Sequence, residues 1–187
     1  MNERPIPLRP GPMAQDARLG EMLRVDLAGE LAACAIYRGQ RAVLRAAPRA
    51  GRALADIADM ADAEEAHLAR LSALLLEHRA RPSLLSPLWR AAGFALGAAT
   101  ALLGERAAHA CTEAVESVIE DHYGGQIAEI ESADPDLAQE LSGFRRDEQA
   151  HLDLAVDRGA RTAPAYPLLS RIIRSGCRTA IRIAEKV

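Results

Sequence analysis

Two segments of this chain repeat one order of acidic and imidazole side chains, and this repeat constrains the fold more than any other feature. In each segment a glutamate is followed, 34 or 32 residues later, by a Glu-x-x-His motif. The six residues are Glu30, Glu64 and His67, then Glu116, Glu148 and His151. Residues at i and i+3 share one face of a helix, so each Glu-x-x-His pair can bind one ion. Four carboxylates and two imidazoles on four helices form the ligand set of a two-iron or two-manganese bundle site.

The repeat extends beyond these six residues. Each of the two leading glutamates begins the pattern Glu-x6-Tyr-x-Gly-Gln, which places tyrosines at Tyr37 and Tyr123. Self-similarity of this kind indicates a duplicated helical hairpin. A single Glu-x-x-His on a charged helix is commonly a solvated surface, because short motifs match by chance. Two matches inside a duplicated frame favour metal binding instead.

The two tyrosines have two interpretations. Each lies seven residues, about two helical turns, beyond a ligand glutamate and therefore on the same helix face. Either residue can fill the core and find a hydrogen-bond partner for its hydroxyl, and this interpretation is favoured for Tyr37. For Tyr123 a redox or substrate-orienting role weighs equally, because His122 adjoins it.

The composition and periodicity predict an all-α protein. Hydrophobic residues make up 49% of the 187 residues, but aromatic residues only 3%, and alanine and leucine favour helices. We predict a mobile N-terminal arm over residues 1–16 and a single domain over residues 17–187. Within the domain the pattern predicts helices over 19–46, 52–78, 89–130 with a break near Gly104, 135–158 and 168–186. Asp134 and Pro135 predict a capped start for the fourth of these helices.

Charge and cysteine content exclude some classes of function. The net charge is −3, and no basic patch with interleaved aromatic residues occurs, so a nucleic-acid partner is not expected. The three cysteines form no C-x-x-C pair, and we interpret them as free thiols in a reducing compartment.

Several segments together resemble the Coq7 family, the demethoxyubiquinone hydroxylases of ubiquinone biosynthesis. The resemblance runs from about Leu19 to the C-terminus. The segments that carry it are Arg24-Val25-Asp26-Leu27-Ala28-Gly29-Glu30, Ile36-Tyr37-Arg38-Gly39-Gln40, Ala110-Cys111-Thr112, Val115-Glu116, His122-Tyr123 and Asp147-Glu148-Gln149-Ala150-His151.

The resemblance implies a ferritin-like four-helix bundle with an additional membrane-associated C-terminal helix. It implies two iron ions on the six residues of the repeat, with Glu64 and Glu148 bridging, and a catalytic role for His122 and Tyr123. The implied reaction is the oxygen-dependent ring hydroxylation of a polyprenylated demethoxyubiquinol, 2-polyprenyl-3-methyl-6-methoxy-1,4-benzoquinol. Dioxygen is the co-substrate, and an external reductant, NADH or the quinol itself, supplies electrons. The family usually has histidine where this chain has Leu27, a difference that could remove a hydrogen bond near the metals.

Two further segments agree with a substrate that resides in a bilayer. Residues 88–104 are almost wholly apolar, with Arg90 the one charge, and are too short to favour a span. We interpret them as a surface that dips into lipid or lines a channel for the tail, with an ordinary core helix as the alternative. In the last helix Arg171, Arg174, Arg178 and Arg182 recur at three- and four-residue steps beside apolar residues, which predicts an interfacial helix. Packing on the bundle with an exposed arginine edge is compatible with this.

The sequence therefore predicts a peripheral membrane protein at the cytoplasmic face of a bacterial cell membrane. Its expected partners are membrane lipid, the polyprenyl quinol and other proteins of ubiquinone biosynthesis, and a homodimer is left open. A soluble ferritin- or rubrerythrin-like bundle for iron storage or peroxide scavenging is the alternative function. A lipid-binding bundle without activity is a third, for which Leu27 is the one hint.

Overall fold

The computed structural model describes residues 12–47 and 50–186 of the chain. In this part of the chain the regular elements are six α-helices and a short 3₁₀ helix at Ala160–Thr162, which confirms the predicted all-α class. The α-helices are α1 (Pro12–Leu44), α2 (Gly51–Glu77), α3 (Ser86–Leu102), α4 (Glu105–Ile130), α5 (Pro135–Asp157) and α6 (Tyr166–Ala184). Residues 1–11 of the predicted arm lie outside the described residues. Helix α1 begins at Pro12, earlier than the predicted start near Leu19.

Local sequence explains where two of these helices begin. The carboxylate of Asp134 accepts a hydrogen bond from the backbone N–H of Leu137 at 3.0 Å, and Pro135 occupies the first turn of α5. The predicted helix over residues 89–130 is two helices, α3 and α4, which separate at Gly104. Gly104 has a φ of 107°, a conformation that residues with a Cβ rarely adopt, so the chain turns there.

The helices form two halves of three helices each. In the first half α2 and α3 both pack against α1, and in the second half α5 and α6 both pack against α4. The helices α1, α2, α4 and α5 carry the predicted ligands and form the four-helix bundle. The third helix of each half, α3 or α6, lies on the first helix of that half.

Two apolar clusters lie on either side of the centre of the bundle. Along α1, Leu23 and Leu27 precede Glu30 and belong to a cluster that also contains Leu71 and Leu141. Tyr37 and Leu44 follow Glu30 and belong to a second cluster with Ile57 and Met60. Because fully buried Leu, Ile and Met side chains each contribute roughly 1.5–3 kcal/mol, these clusters stabilise the bundle around a polar middle.

Helices α1 and α3 approach each other closely because glycines line their contact. A Cβ at Gly97 would lie 2.0 Å from the carbonyl oxygen of Ile36, and one at Gly93 would lie 2.5 Å from that of Ala32. Gly39, on α1, is equally close to the backbone of Phe94. Among the described residues, no helix has the length and apolar character that crossing a bilayer requires.

The glycine contact generates a prediction about stability. Gly97→Ala should destabilise the protein by about 1–3 kcal/mol, because the new methyl group would force α3 away from α1. Urea unfolding followed by circular dichroism would measure this loss. The control is Gly125→Ala on α4, where a Cβ meets nothing within 4 Å. That substitution should leave stability unchanged or raise it, since alanine favours helix, and an equal loss in both variants would contradict the packing argument.

Candidate metal centre

The six residues of the repeat converge at the centre of the bundle. Glu30 lies on α1, Glu64 and His67 on α2, Glu116 on α4, and Glu148 and His151 on α5. All six are buried, with between 0% and 8% of their surface exposed. They form two overlapping groups whose potential ligand atoms lie within 4.8 Å of one another. One group contains Glu30, Glu64, His67 and Glu148, and the other contains Glu64, Glu116, Glu148 and His151.

Glu64 and Glu148 belong to both groups, and each divides its two oxygens between the two imidazoles. Glu148 Oε1 lies 3.3 Å from Nδ1 of His67, and its Oε2 lies 3.6 Å from Nδ1 of His151. Glu64 Oε1 lies 3.1 Å from Nδ1 of His151, and its Oε2 lies 3.8 Å from Nδ1 of His67. This arrangement is what two carboxylates that bridge a pair of ions would need.

Each terminal glutamate is held by the tyrosine of the opposite half. The Tyr123 hydroxyl donates to Glu30 Oε1 at 2.7 Å, and the Tyr37 hydroxyl donates to Glu116 Oε1 at 2.6 Å. Both tyrosines are almost completely buried. Their hydroxyls therefore find the partners that a core position requires, and those partners are the predicted ligands themselves.

The remaining polar atoms of the site lack partners within the protein. The buried atoms without a hydrogen-bond partner include Glu30 Oε2, both oxygens of Glu64, His67 Nδ1, Glu116 Oε2, both oxygens of Glu148 and His151 Nδ1. Buried polar atoms are nearly always paired, so a set of this size at one place indicates a missing partner. One free oxygen on each terminal glutamate and two on each bridging glutamate are what a pair of cations would use. The residues therefore fit a two-metal centre.

The electrostatics of the protein without metal lead to the same conclusion. Burial is the main cause that raises the pKa of Glu30 to about 7, and it also raises the pKa values of Glu64 and Glu116. Burial also opposes ionisation of Glu148, but the neighbouring imidazoles of His151 and His67 lower its pKa to about 2. The cluster is too crowded with negative charge to ionise fully alone. Two divalent cations would neutralise four carboxylates.

The chemistry of the donors limits which metals suit the site. Carboxylate and imidazole ligands in a bundle suit iron or manganese, and thiolates are the softer ligands that favour zinc or copper. The buried cysteines, Cys34 and Cys111, are not members of either ligand group.

His122, the other predicted catalytic residue, lies at the edge of the site rather than among the ligand groups. Its Nε2 lies 3.2 Å from Asp26 Oδ1, and the Gln126 amide donates to the same oxygen at 2.7 Å. Asp26 is buried, and about a fifth of the His122 side chain is exposed. The cluster of Asp26, His122 and Gln126 thus forms a polar connection between the surface and the helices that carry Glu30 and Glu116.

Four residues that support the site were assigned no role from the sequence: Asp26, Gln126, Phe144 and Asp147. The last two contact His67. Leu27, at the position where the resemblance led us to expect histidine, is buried in the apolar cluster with Leu23 and Leu71. Gln126 ends the repeated Glu-x6-Tyr-x-Gly-Gln pattern. No local spacing marks Asp26, Phe144 and Asp147, since each contacts a residue on another helix, up to 100 residues away in the sequence.

A small apolar pocket lies beside the site, between α1, α3, α4 and α6. Its walls include Ala28, Gly29, Ala32 and Ile36 of α1, Trp89 of α3, Val115 and Ile119 of α4, and Cys177, Ala180 and Ile181 of α6. Gly29 and Val115 directly precede Glu30 and Glu116 in the sequence. A Cβ at Gly29 would meet nothing within 4 Å, so the pocket stays open beside the first ligand. Its walls are almost entirely apolar, and small-molecule sites are lined predominantly by such side chains.

Comparisons with known proteins point to one family. Residues 17–184 match the family model described as ubiquinone biosynthesis protein COQ7. The chain is similar to a protein from Rhodospirillum rubrum named 3-demethoxyubiquinol 3-hydroxylase, with 46% identity over 95% of this chain and 82% of that protein. It is 46% identical to the Mus musculus NADPH-dependent 3-demethoxyubiquinone 3-hydroxylase over 91% of this chain and 78% of that protein. It is 41% identical to the Saccharomyces cerevisiae mitochondrial 5-demethoxyubiquinone hydroxylase over 93% and 80% of the two chains.

The partnerless ligand atoms generate a prediction about metal binding. Adding Fe²⁺ anaerobically to metal-free protein should stabilise it by about 2.7 kcal/mol for each ion bound, when free iron exceeds the dissociation constant of that site 100-fold. Thermal unfolding would measure the gain, and iron analysis should find about two ions per chain. Glu148→Gln should lose most of the gain, whereas Glu65→Gln, an exposed glutamate beside Glu64, should keep it. Equal stabilisation of both variants would remove Glu148 from the ligand set.

Proposed function

The chain belongs to the COQ7 family, and we propose from this premise that it is a di-iron monooxygenase of ubiquinone biosynthesis. Its substrate is the ring of a polyprenylated demethoxyubiquinol, which receives one hydroxyl group. The observation that carries the proposal is the apolar pocket that lies beside a buried two-metal ligand set. The pocket supplies a place for an apolar substrate, and the ligand set supplies a place for oxygen chemistry.

We assign the metals to the six residues of the repeat, which would hold them in two groups that share Glu64 and Glu148. Two iron ions bound there would supply the redox chemistry that activates dioxygen. The overall reaction converts a ring C–H into C–OH, consumes one O₂, two electrons and two protons, and releases water. The protein holds the ligands, keeps bulk water out through its apolar clusters and positions the ring.

The tyrosines have a positioning role in this proposal. Tyr37 and Tyr123 each occupy one oxygen of a terminal glutamate, so each carboxylate presents its other oxygen to the centre of the bundle. Burial and the nearby carboxylates raise both tyrosine pKa values, so the hydroxyls keep their protons and remain donors. The resemblance implies a catalytic role for Tyr123 and its neighbour His122, but neither lines the apolar pocket. We therefore propose that Tyr123 positions Glu30 and that His122 acts through its contact with Asp26 at the edge of the site.

The pocket is proposed to hold the quinol ring and the first part of its tail. Its walls present almost entirely carbon surface, which favours an isoprenoid chain over a charged ligand. Gly29 and Val115 line the pocket, and each directly precedes one of the two terminal glutamates in the sequence. Iron storage or peroxide scavenging in solution requires no such pocket, so this feature favours the hydroxylase over the ferritin-like alternative.

The reductant is proposed to be a reduced nicotinamide cofactor. The resemblance to the family implies NADH, and the mouse relative is named NADPH-dependent. The sequence has no Gly-x-Gly-x-x-Gly motif after a strand, so this cofactor would bind without a dinucleotide-binding fold.

We propose that helices α3 and α6 contact the membrane, at the cytoplasmic face of a bacterial cell. Both helices flank the pocket, through Trp89 and Ile181. Large apolar side chains on or beside them are exposed: Leu84, Leu88, Phe94, Leu102, Leu103, Leu168, Ile172 and Ile183. Exposed apolar side chains beside a pocket for a bilayer substrate would let the substrate enter without crossing water.

The arginines of α6 are divided between two tasks. Arg171, Arg178 and Arg182 are exposed, where they can meet anionic lipid headgroups. Arg174 instead donates to the buried Glu113 of α4 at 2.7 Å, so this arginine takes part in packing α6 on the bundle. The same helix therefore packs on the bundle and presents a basic apolar surface.

Product formation tests the function directly. Iron-loaded protein, supplied with a demethoxyubiquinol analogue, a reduced nicotinamide cofactor and ¹⁸O₂, should give the hydroxylated quinol with one labelled oxygen atom. Glu148→Gln should abolish the product, since the amide replaces one of the two ligand oxygens with nitrogen and removes a negative charge, and Glu65→Gln should retain it. Iron uptake well beyond two ions per chain without any hydroxylated product would support the storage alternative instead.

The pocket generates a separate prediction about substrate affinity. Ala180→Phe should fill part of the pocket and raise the KM for a long-chain quinol by about 10-fold or more, while iron stoichiometry stays unchanged. The matched control is Thr179→Phe, at the neighbouring exposed position of α6. Steady-state kinetics on both variants would measure the difference. A KM for Ala180→Phe equal to that of the control would place the quinol elsewhere.

The exposed surface generates a prediction about membrane binding. Changing Leu168 and Ile172 together to serine should reduce binding to anionic liposomes by about 10-fold or more, since two large apolar side chains leave the lipid. Liposome co-sedimentation would measure the loss. The control is Leu76→Ser on α2, which removes a side chain that is 79% exposed but lies away from the pocket. Equal losses in both proteins would locate the membrane contact on another surface.

A further inference from the structure

The two candidate metal positions differ in how their histidines are held. Asp147 Oδ2 lies 3.1 Å from Nε2 of His67. The ring of Phe144 packs on the same imidazole, with ring centroids 4.3 Å apart and an angle of 31° between the planes. Asp147 and Phe144 lie three residues apart on α5 and therefore share a helix face. One turn of α5 thus contacts His67 on the side that faces away from the ligand cluster.

The hydrogen bond with Asp147 also determines which nitrogen of His67 is free. An ionised carboxylate only accepts hydrogen bonds, so Nε2 must carry the proton. The lone pair of a neutral ring then lies on Nδ1, the atom that faces Glu148 and Glu64. A carboxylate on the outer nitrogen orients a ligand imidazole and increases its basicity.

His151, the counterpart of His67, has neither support. The repeat aligns Glu148 with Glu64, so Asp147 corresponds to Ala63 and Phe144 corresponds to Met60. Alanine has no side-chain acceptor, and Met60 is directed to the Tyr37 hydroxyl, with its sulfur 3.8 Å from that oxygen. The side chain of His151 is also twice as exposed as that of His67, at 10% against 5%.

We propose that Asp147 and Phe144 are positioning residues that make the two metal positions unequal. The position built from Glu30, Glu64, His67 and Glu148 binds its ion more tightly and fills first. The position of Glu116 and His151 fills second and exchanges its ion more readily. This inference rests on the metal site of the proposed function, but it concerns affinity and order of loading rather than catalysis.

Binding of Co²⁺ to metal-free protein, followed by calorimetry and by the visible spectrum of the bound ion, tests the inference. The wild-type protein should bind two ions in two steps, with dissociation constants about 10- to 100-fold apart. His67→Gln should weaken the first step, and His151→Gln should weaken the second. Circular dichroism on each variant separates lost affinity from lost structure.

Asp147 itself provides the sharpest comparison, because more than half of its side chain is exposed and its removal should not disturb folding. Asp147→Ala should weaken the first step about 10-fold, leave the second unchanged and alter the spectrum of the first ion. Asp153→Ala, another exposed aspartate on α5, should change neither step. Ala63→Asp, which supplies the missing carboxylate beside His151, should strengthen binding in the second step and bring the two dissociation constants closer together.

Two equal steps in the wild-type protein would overturn this inference and leave the proposed metal site intact. An Asp147→Ala variant in which both steps weakened equally would overturn it as well. Protein that bound no Co²⁺ and no Fe²⁺ would overturn the inference together with the metal site of the proposed function.

Discussion

The burial of four carboxylates at the centre of four helices is the constraint on which the rest of the structure depends. An ionised carboxylate without a partner is too costly to keep in an apolar interior, so it must be protonated, paired or bound to a cation. Tyrosine hydroxyls satisfy one oxygen each of Glu30 and Glu116, and the other oxygens of the cluster have no protein partner. The apolar clusters on either side then keep water from hydrogen-bonding to these oxygens. The fold thus creates a site whose natural occupants are cations.

The tyrosines also connect the two halves of the duplicated chain. Tyr37 belongs to the first half but donates to Glu116 of the second. Tyr123 belongs to the second half and donates to Glu30 of the first. Neither terminal glutamate can therefore reach its observed orientation until the two three-helix units have packed together. A duplicated hairpin alone does not explain this, because each half would contain only part of the ligand set and the wrong tyrosine for its own glutamate.

Helical periodicity and ligand spacing were sufficient to predict the helices and to select the six residues that converge. Helical periodicity and the Glu-x-x-His motif depend on residues three or four positions apart, and the repeat of the whole pattern, with gaps of 34 and 32 residues, identified the two leading glutamates. The start of α1 at Pro12 was missed because a proline-rich segment argues against helix, although proline is tolerated in a first turn. The contacts of Asp26, Asp147 and Glu113 could not be predicted, since their partners lie 61 to 100 residues away. Only the packing of the helices brings such pairs together.

A second asymmetry of the molecule, besides the unequal support of the two histidines, arises outside the four helices of the bundle. The repeat places equivalent residues on α1 and α4 and on α2 and α5, so the ligand cage is nearly symmetric. The third helix of each half packs differently. Glycines allow the backbones of α3 and α1 to approach closely, whereas α6 packs on α4 through Ile173 and the Arg174–Glu113 ion pair. The apolar pocket opens between these two helices and reaches both Gly29 and Val115. A nearly symmetric cage that could hold metal ions is therefore combined with an apolar pocket on one side of it, and a reaction of such ions with a large apolar substrate would need both.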